Sequence, residues 1–72
     1  MTMANIRKTR GVPAKRGMRV FYKYLNSFGT IRSAKGGYLN IQLDGSPFPM
    51  VFHPTWQLDY LDKDGSVLKS ID

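Results

Sequence analysis

Apolar and polar side chains alternate most regularly over Tyr38–Leu43, with Leu39, Ile41 and Leu43 on one face and Tyr38, Asn40 and Gln42 on the other. That period of two predicts a half-buried antiparallel strand. Upstream, residues 18–25 are dense in Val, Phe and Tyr and end at Asn26-Ser27, which predicts another strand. A third covers residues 28–34, with Gly29 near its start predicting a bulge or sharp bend. Between it and Tyr38, Lys35-Gly36-Gly37 predicts a tight hairpin turn, because adjacent glycines accept the positive φ such turns demand. Asp44-Gly45-Ser46-Pro47 predicts the next turn and residues 48–53 a fourth strand, in which Pro49 lacks an N–H and favours an edge. Pro54-Thr55-Trp56 interrupts the pattern, predicting a single helical turn with Trp56 as a plug. Leu58–Leu61 predicts a short fifth strand. After the turn Asp62-Lys63-Asp64-Gly65, residues 66–71 are expected to add a final edge strand.

Residues 1–16 lack such a pattern. Ile6 and Val12 are their only large aliphatics besides methionine, and Gly11 and Pro13 interrupt them. They predict a disordered basic arm, too poor in apolar surface to offset the entropy of ordering. A short helix over residues 5–10 is the disfavoured alternative, since nothing there supplies a packing face. The expected organisation is an arm over 1–16 and one domain over 17–72. Short strands at this spacing, with no helical period, predict an all-β fold, a small closed five-stranded barrel. Its expected core is Val20, Tyr22, Ile31, Leu39, Ile41, Leu43, Phe52, Trp56, Leu58 and Leu61.

A chain of 72 residues holds one domain and buries only about 60% of its unfolded surface. It has no cysteine, so neither a disulfide nor a thiolate metal site is expected. No apolar run reaches the length of a membrane span, and no apolar core follows the basic N-terminus as a secretory signal requires. A soluble, cytoplasmic protein is expected. Charge adds more: the formal net charge is +6, from 11 Lys and Arg against 5 acidic residues. All bases but Lys63 and Lys69 fall within residues 1–35, and no carboxylate precedes Asp44. This asymmetry predicts a polyanionic partner for the N-terminal half.

Gly17-Met18-Arg19-Val20, Gly29-Thr30-Ile31 and His53-Pro54 leading to Leu58-Asp59 together resemble the small SH3-like barrel. Within that superfold the pattern is similar to the KOW-type barrels of transcription and ribosomal proteins, and this likeness implies nucleic-acid contact. It also resembles the plasmid-borne type II dihydrofolate reductases, whose last long strand carries Val-Gln-Ile-Tyr-Pro with the Gln, Ile and Tyr lining a central pore. Here the matching stretch is Met50-Val51-Phe52-His53-Pro54. Val51 stands in place of the amide and His53 in place of the tyrosine, so the likeness implies the architecture without the reductase activity.

Catalytic constellations are sparse. With one His, no Cys and no Glu, there is no Cys–His pair and little material for a Ser–His–Asp relay. His53 is read as capping the turn before Pro54. Asp62-x-Asp64-Gly65 shares positions with a calcium loop, but Lys63 lies inside it and no bidentate Glu follows. Neither enzyme activity, metal, cofactor nor small-molecule substrate is expected.

If Val20 and Tyr22 point inward, alternation puts Arg19, Phe21 and Lys23 outside, beside Phe28, Thr30 and Arg32, then Tyr38, Asn40 and Gln42. This face of aromatics, bases and amides suits nucleic acid, DNA or RNA: cations neutralise phosphates and rings stack on unpaired bases. The expected contact residues are Arg7, Lys8, Arg10, Lys15 and Arg16 of the arm, with Arg19, Phe21, Lys23, Arg32, Lys35 and Tyr38 of the barrel. A compact basic product of this kind fits an accessory gene of a phage or other mobile element. The alternative is a protein-interaction or homo-oligomerising barrel with no nucleic-acid role. Against an SH3-type peptide groove stands the charge, because basic proline-rich ligands are drawn to acidic grooves.

Overall fold

The computed structural model describes residues 3–72. A helix, α1 (Met3–Arg10), precedes β1 (Arg19–Tyr22), β2 (Ser27–Lys35), β3 (Tyr38–Leu43), β4 (Met50–Phe52), β5 (Leu58–Leu61) and β6 (Val67–Ile71). The strands make one antiparallel sheet in the order β4-β3-β2-β1-β5-β6. The strand content is therefore as expected in kind, but the expected closed five-stranded barrel is not formed. The sheet has six strands and stays open, with β4 and β6 as its edges. Pro47, Pro49 and Pro54 flank β4, removing backbone donors beside that edge.

Local chemistry explains the strand ends. Gly36 and Gly37 both take positive φ, 60° and 84°, the geometry of a two-residue hairpin turn that matches strand twist. Gly29 is not the bulge. The register shift lies between Ile31 and Ser33, so Arg32 is the extra residue. At Gly29 the strands simply come close: a Cβ there would sit 2.9 Å from Ile41 Cγ2 and 3.1 Å from the Gln42 carbonyl oxygen.

The inner face of the sheet carries Val20, Tyr22, Ile31, Leu39, Ile41, Leu43, Leu58 and Tyr60, all buried, while Leu61 is buried outside that cluster, in a cleft with Arg19 and Phe28. Tyr60, outside the expected core, is fully buried and its hydroxyl donates to the Pro54 carbonyl at 2.5 Å. Trp56 is not a plug: it is 48% exposed. Phe52 is half-buried at the margin of the core.

The largest departure from expectation is the N-terminal segment, which is not an unstructured arm. Ile6 is fully buried, and Val12 and Ala14 join it in the same core cluster as the strands. An open sheet leaves its inner face uncovered, and three apolar side chains from this segment suffice to cover part of it. Gly11, at φ 66°, ends α1 in a left-handed conformation while its N–H still bonds the Arg7 carbonyl. Arg7, Lys8 and Arg10 occupy the last turn, where cations complement the helix dipole.

Candidate nucleic-acid interface

Alternation along β1–β3 places the outward residues as the sequence predicts. Val20, Ile31, Leu39 and Ile41 are buried, while Arg19, Phe28, Arg32 and Tyr38 are exposed and Phe21, Lys23, Thr30, Asn40 and Gln42 half-buried. Phe21 faces Phe28 across the β1–β2 ladder, with rings edge to face at 4.8 Å. Tyr38 stands edge-on to His53 at 5.7 Å. Asn40 donates to Ser33 Oγ across the β2–β3 pair at 2.9 Å.

Carboxylates reach this face, although none precedes Asp44 in the sequence. Tertiary pairing brings them in from the C-terminal half. The turn after β3 delivers Asp44, which holds Arg19 through two bonds of 2.9 and 2.6 Å. Arg19 also donates to Thr30 Oγ1 and stacks over the Phe28 ring. Pairing of β1 with β5 sets Phe21 opposite Asp59, and Lys23 Nζ lies 3.2 Å from Asp59 Oδ1. The same ammonium donates to Asp72 and Ser70 at 2.8 Å. The bond to Asp44 raises the Arg19 guanidinium above its ordinary value, and the bond to Asp72 does the same for Lys23. Reciprocally, Asp44 and Asp72 fall below the usual carboxylate range. Arg19 and Lys23 are thus committed to internal partners. Arg7 is also engaged, donating from Nη1 to the Ala14 carbonyl at 2.7 Å and so tying α1 to the segment that follows it.

The remaining expected bases form a second group. Gly17 N–H bonds the Ile31 carbonyl and Ile31 N–H the Met18 carbonyl, which draws the entry to β1 against the bulge in β2. Arg16 and Arg32 consequently line one shallow cleft of about 440 Å³ with Gly17 and Ile31. Lys15 and Arg16 line the adjoining cleft, with Lys63 and Asp62 on its far wall. Lys15, Arg16, Arg32 and Lys35 are exposed, and no carboxylate among the described residues pairs with them. Lys8 and Arg10 are exposed on α1.

A separate aromatic group lies at the other end of β1. Tyr24 and Trp56 stand 5.8 Å apart, each about 6 Å from Tyr22, and Phe52 meets Tyr22 edge to face at 4.8 Å. Tyr22, Phe52 and Trp56 are expected in the core, and Tyr24 enters the sequence analysis only within the SH3-type aromatic stretch that the charge argues against. The residue spacing Tyr22-x-Tyr24 was visible, but pairing with the Trp56 loop depends on a contact between distant parts of the chain.

Among the described residues, no three His, Cys, Asp or Glu side chains converge as a metal site, and no helix is long and apolar enough to cross a membrane. No protein-family model matches the chain, and neither does a curated protein or a solved structure.

Proposed function

We propose that this chain is a non-catalytic nucleic-acid-binding domain that contacts phosphates through the cationic side bearing Lys15, Arg16, Arg32 and Lys35. The observation that carries this reading is the cleft shared by Arg16 and Arg32. Arg16 and Arg32, from distant parts of the sequence, border the same cleft and neither is ion-paired with a carboxylate, whereas Arg19 and Lys23 are. Cations without a carboxylate partner are available to phosphate, and the net charge of +6 draws a polyanion toward them. Guanidinium groups suit the task because their fork matches phosphate oxygens. Arg19, Lys23 and Arg7 leave the set of contact residues, and Lys8 and Arg10 extend it along α1.

Fluorescence anisotropy with a labelled oligonucleotide at about 50 mM salt tests the assignment, because phosphate contacts are strongest at low salt. Replacing Arg16 and Arg32 with Ala weakens binding, and replacing Arg19 with Ala leaves it nearly unchanged. Equal losses from both changes would remove the distinction between free and committed bases.

A further inference from the structure

The aromatic cleft at the exit of β1 has no role in phosphate contact, yet it is the most exposed concentration of rings in the described structure. Tyr22, Tyr24, Leu25, Met50, Phe52 and Trp56 contribute to a cleft of about 260 Å³. Tyr24 is 67% exposed and Trp56 48%. No Lys, Arg, Asp or Glu lines it, and residues 45–58, which form its Trp56 side, contain none of these four residue types.

Both loops that carry the exposed rings are held by unusual backbone. Among the described residues, Asn26 and Gln57 are the non-glycine residues at positive φ, 51° and 56°. Gln57 immediately follows Trp56, and its carbonyl accepts the Lys23 N–H at 2.8 Å, which locks the Trp56 loop beside Tyr24. His53 Nδ1 accepts from Thr55 N–H at 3.2 Å and lies 2.9 Å from Thr55 Oγ1, fixing the approach to Trp56. Rings left exposed on loops held this firmly form a preorganised stacking platform, and a left-handed glutamine is strain of the kind found at binding sites.

We infer that this cleft receives an unpaired nucleobase of single-stranded nucleic acid, stacked on the open faces of Trp56 and Tyr24. The inference rests on the proposed nucleic-acid reading and narrows it to single strands. Charge argues for this occupant. A molecule of net charge +6 attracts a polyanion and repels a second copy of itself. The absence of a carboxylate in the cleft gives a basic peptide nothing to pair with. Geometry argues for a single strand. Arg16 and Arg32 lie where the chain enters β1 and Tyr24 where it leaves, on the order of 20 Å apart at strand spacing. Single-strand sites commonly cover about 4 nucleotides or more, enough to link the two. In a duplex the bases are stacked within the helix and cannot reach an aromatic cleft.

The chain contains one tryptophan, so Trp56 fluorescence reports directly on the cleft. The probes are an oligothymidine of about eight nucleotides and an abasic strand of equal length and charge, with anisotropy of an end label followed in parallel. Oligothymidine quenches Trp56 and the abasic strand binds without quenching. Tyr24→Ala weakens oligothymidine binding roughly 5- to 150-fold, equivalent to about 1–3 kcal/mol per stacked base. Because Tyr24 is mostly exposed, the variant keeps its thermal midpoint, and its affinity for the abasic strand stays unchanged. Quenching by both strands alike, or a Tyr24→Ala variant that binds oligothymidine as wild type does, overturns the inference while leaving phosphate contact intact. Binding of neither strand overturns both readings. A concentration-dependent dimer in sedimentation that Tyr24→Ala abolishes would assign the cleft to a second copy and also overturn the inference.

Discussion

At the scale of single residues, two positions show how little slack the small core has. Gly29 sits where β2 crosses the side chains of β3, and a Cβ added there meets Ile41 Cγ2 at 2.9 Å. Gly29→Ala is therefore an overpacking change costing about 1–3 kcal/mol, read as a lower thermal midpoint. An unchanged midpoint would mean the ladder can part freely at this point. Tyr60 is the second position. Burial pushes its phenol well above the ordinary value of 10.0. A phenol kept neutral by the fold stabilises it fully below that value, and the contribution is lost as pH rises from there through the raised folded value. Wild type therefore loses thermal midpoint above pH 10 more steeply than Tyr60→Phe does. At neutral pH the phenylalanine variant is the less stable, by about 1–3 kcal/mol, since the buried Pro54 carbonyl loses its donor. Parallel curves above pH 10 would show that the phenol ionises as easily folded as unfolded. Neither residue's importance was legible beforehand. Glycine in a strand signals a bulge as readily as a close approach, and Tyr60 is set apart only by the carbonyl placed above it.

At the scale of elements, legibility followed local pattern. Tyr38–Leu43 has the bounds that alternation predicts, Leu58–Leu61 those of the short strand expected there, and the Gly36-Gly37 turn the dihedrals its composition requires. The helix is the disfavoured alternative in the sequence for a physical reason: α1 buries a single side chain, Ile6, and one apolar position makes no period. Its stability comes from the sheet it covers rather than from its own sequence. Ile6→Ala should accordingly cost about 2–5 kcal/mol, as for other fully buried aliphatic residues. A chain beginning at Lys15 should lose cooperative melting, which circular dichroism would follow. Survival of a sharp transition in the shortened chain would return residues 3–14 to the status of an appendage.

For the whole molecule, the asymmetry of charge along the sequence does not translate into a carboxylate-free surface. The sheet order places β5 beside β1 and β6 beyond it, so the acidic C-terminal half lies against the basic N-terminal half. Asp59 and Asp72 neutralise Lys23, and the turn after β3 brings Asp44 to Arg19. No local pattern encodes that pairing, which is why the outward face was legible as a list of residues but not in its electrostatics. Bases left over after pairing should set the salt dependence of binding. Each phosphate contact contributes about −0.9 to the slope of log affinity against log salt on duplex DNA and about −0.7 on single strands. Removing Arg16 and Arg32 together should flatten the single-strand slope by about 1.4. Arg19→Ala should leave it unaltered. A slope insensitive to the double change would place the phosphate contacts elsewhere.

The order of strands also governs when this chain can fold during its own synthesis. β1 is sandwiched between β2, which follows it directly, and β5, whose Tyr60 pairs with Val20 forty positions later. Ile6, which precedes every strand, joins a buried cluster that includes Leu58 and Tyr60 of β5. Helix α1 therefore stays unsupported until β5 has been made to complete that cluster. Folding is a late event dominated by distant contacts, in the millisecond-to-second regime typical of such topologies.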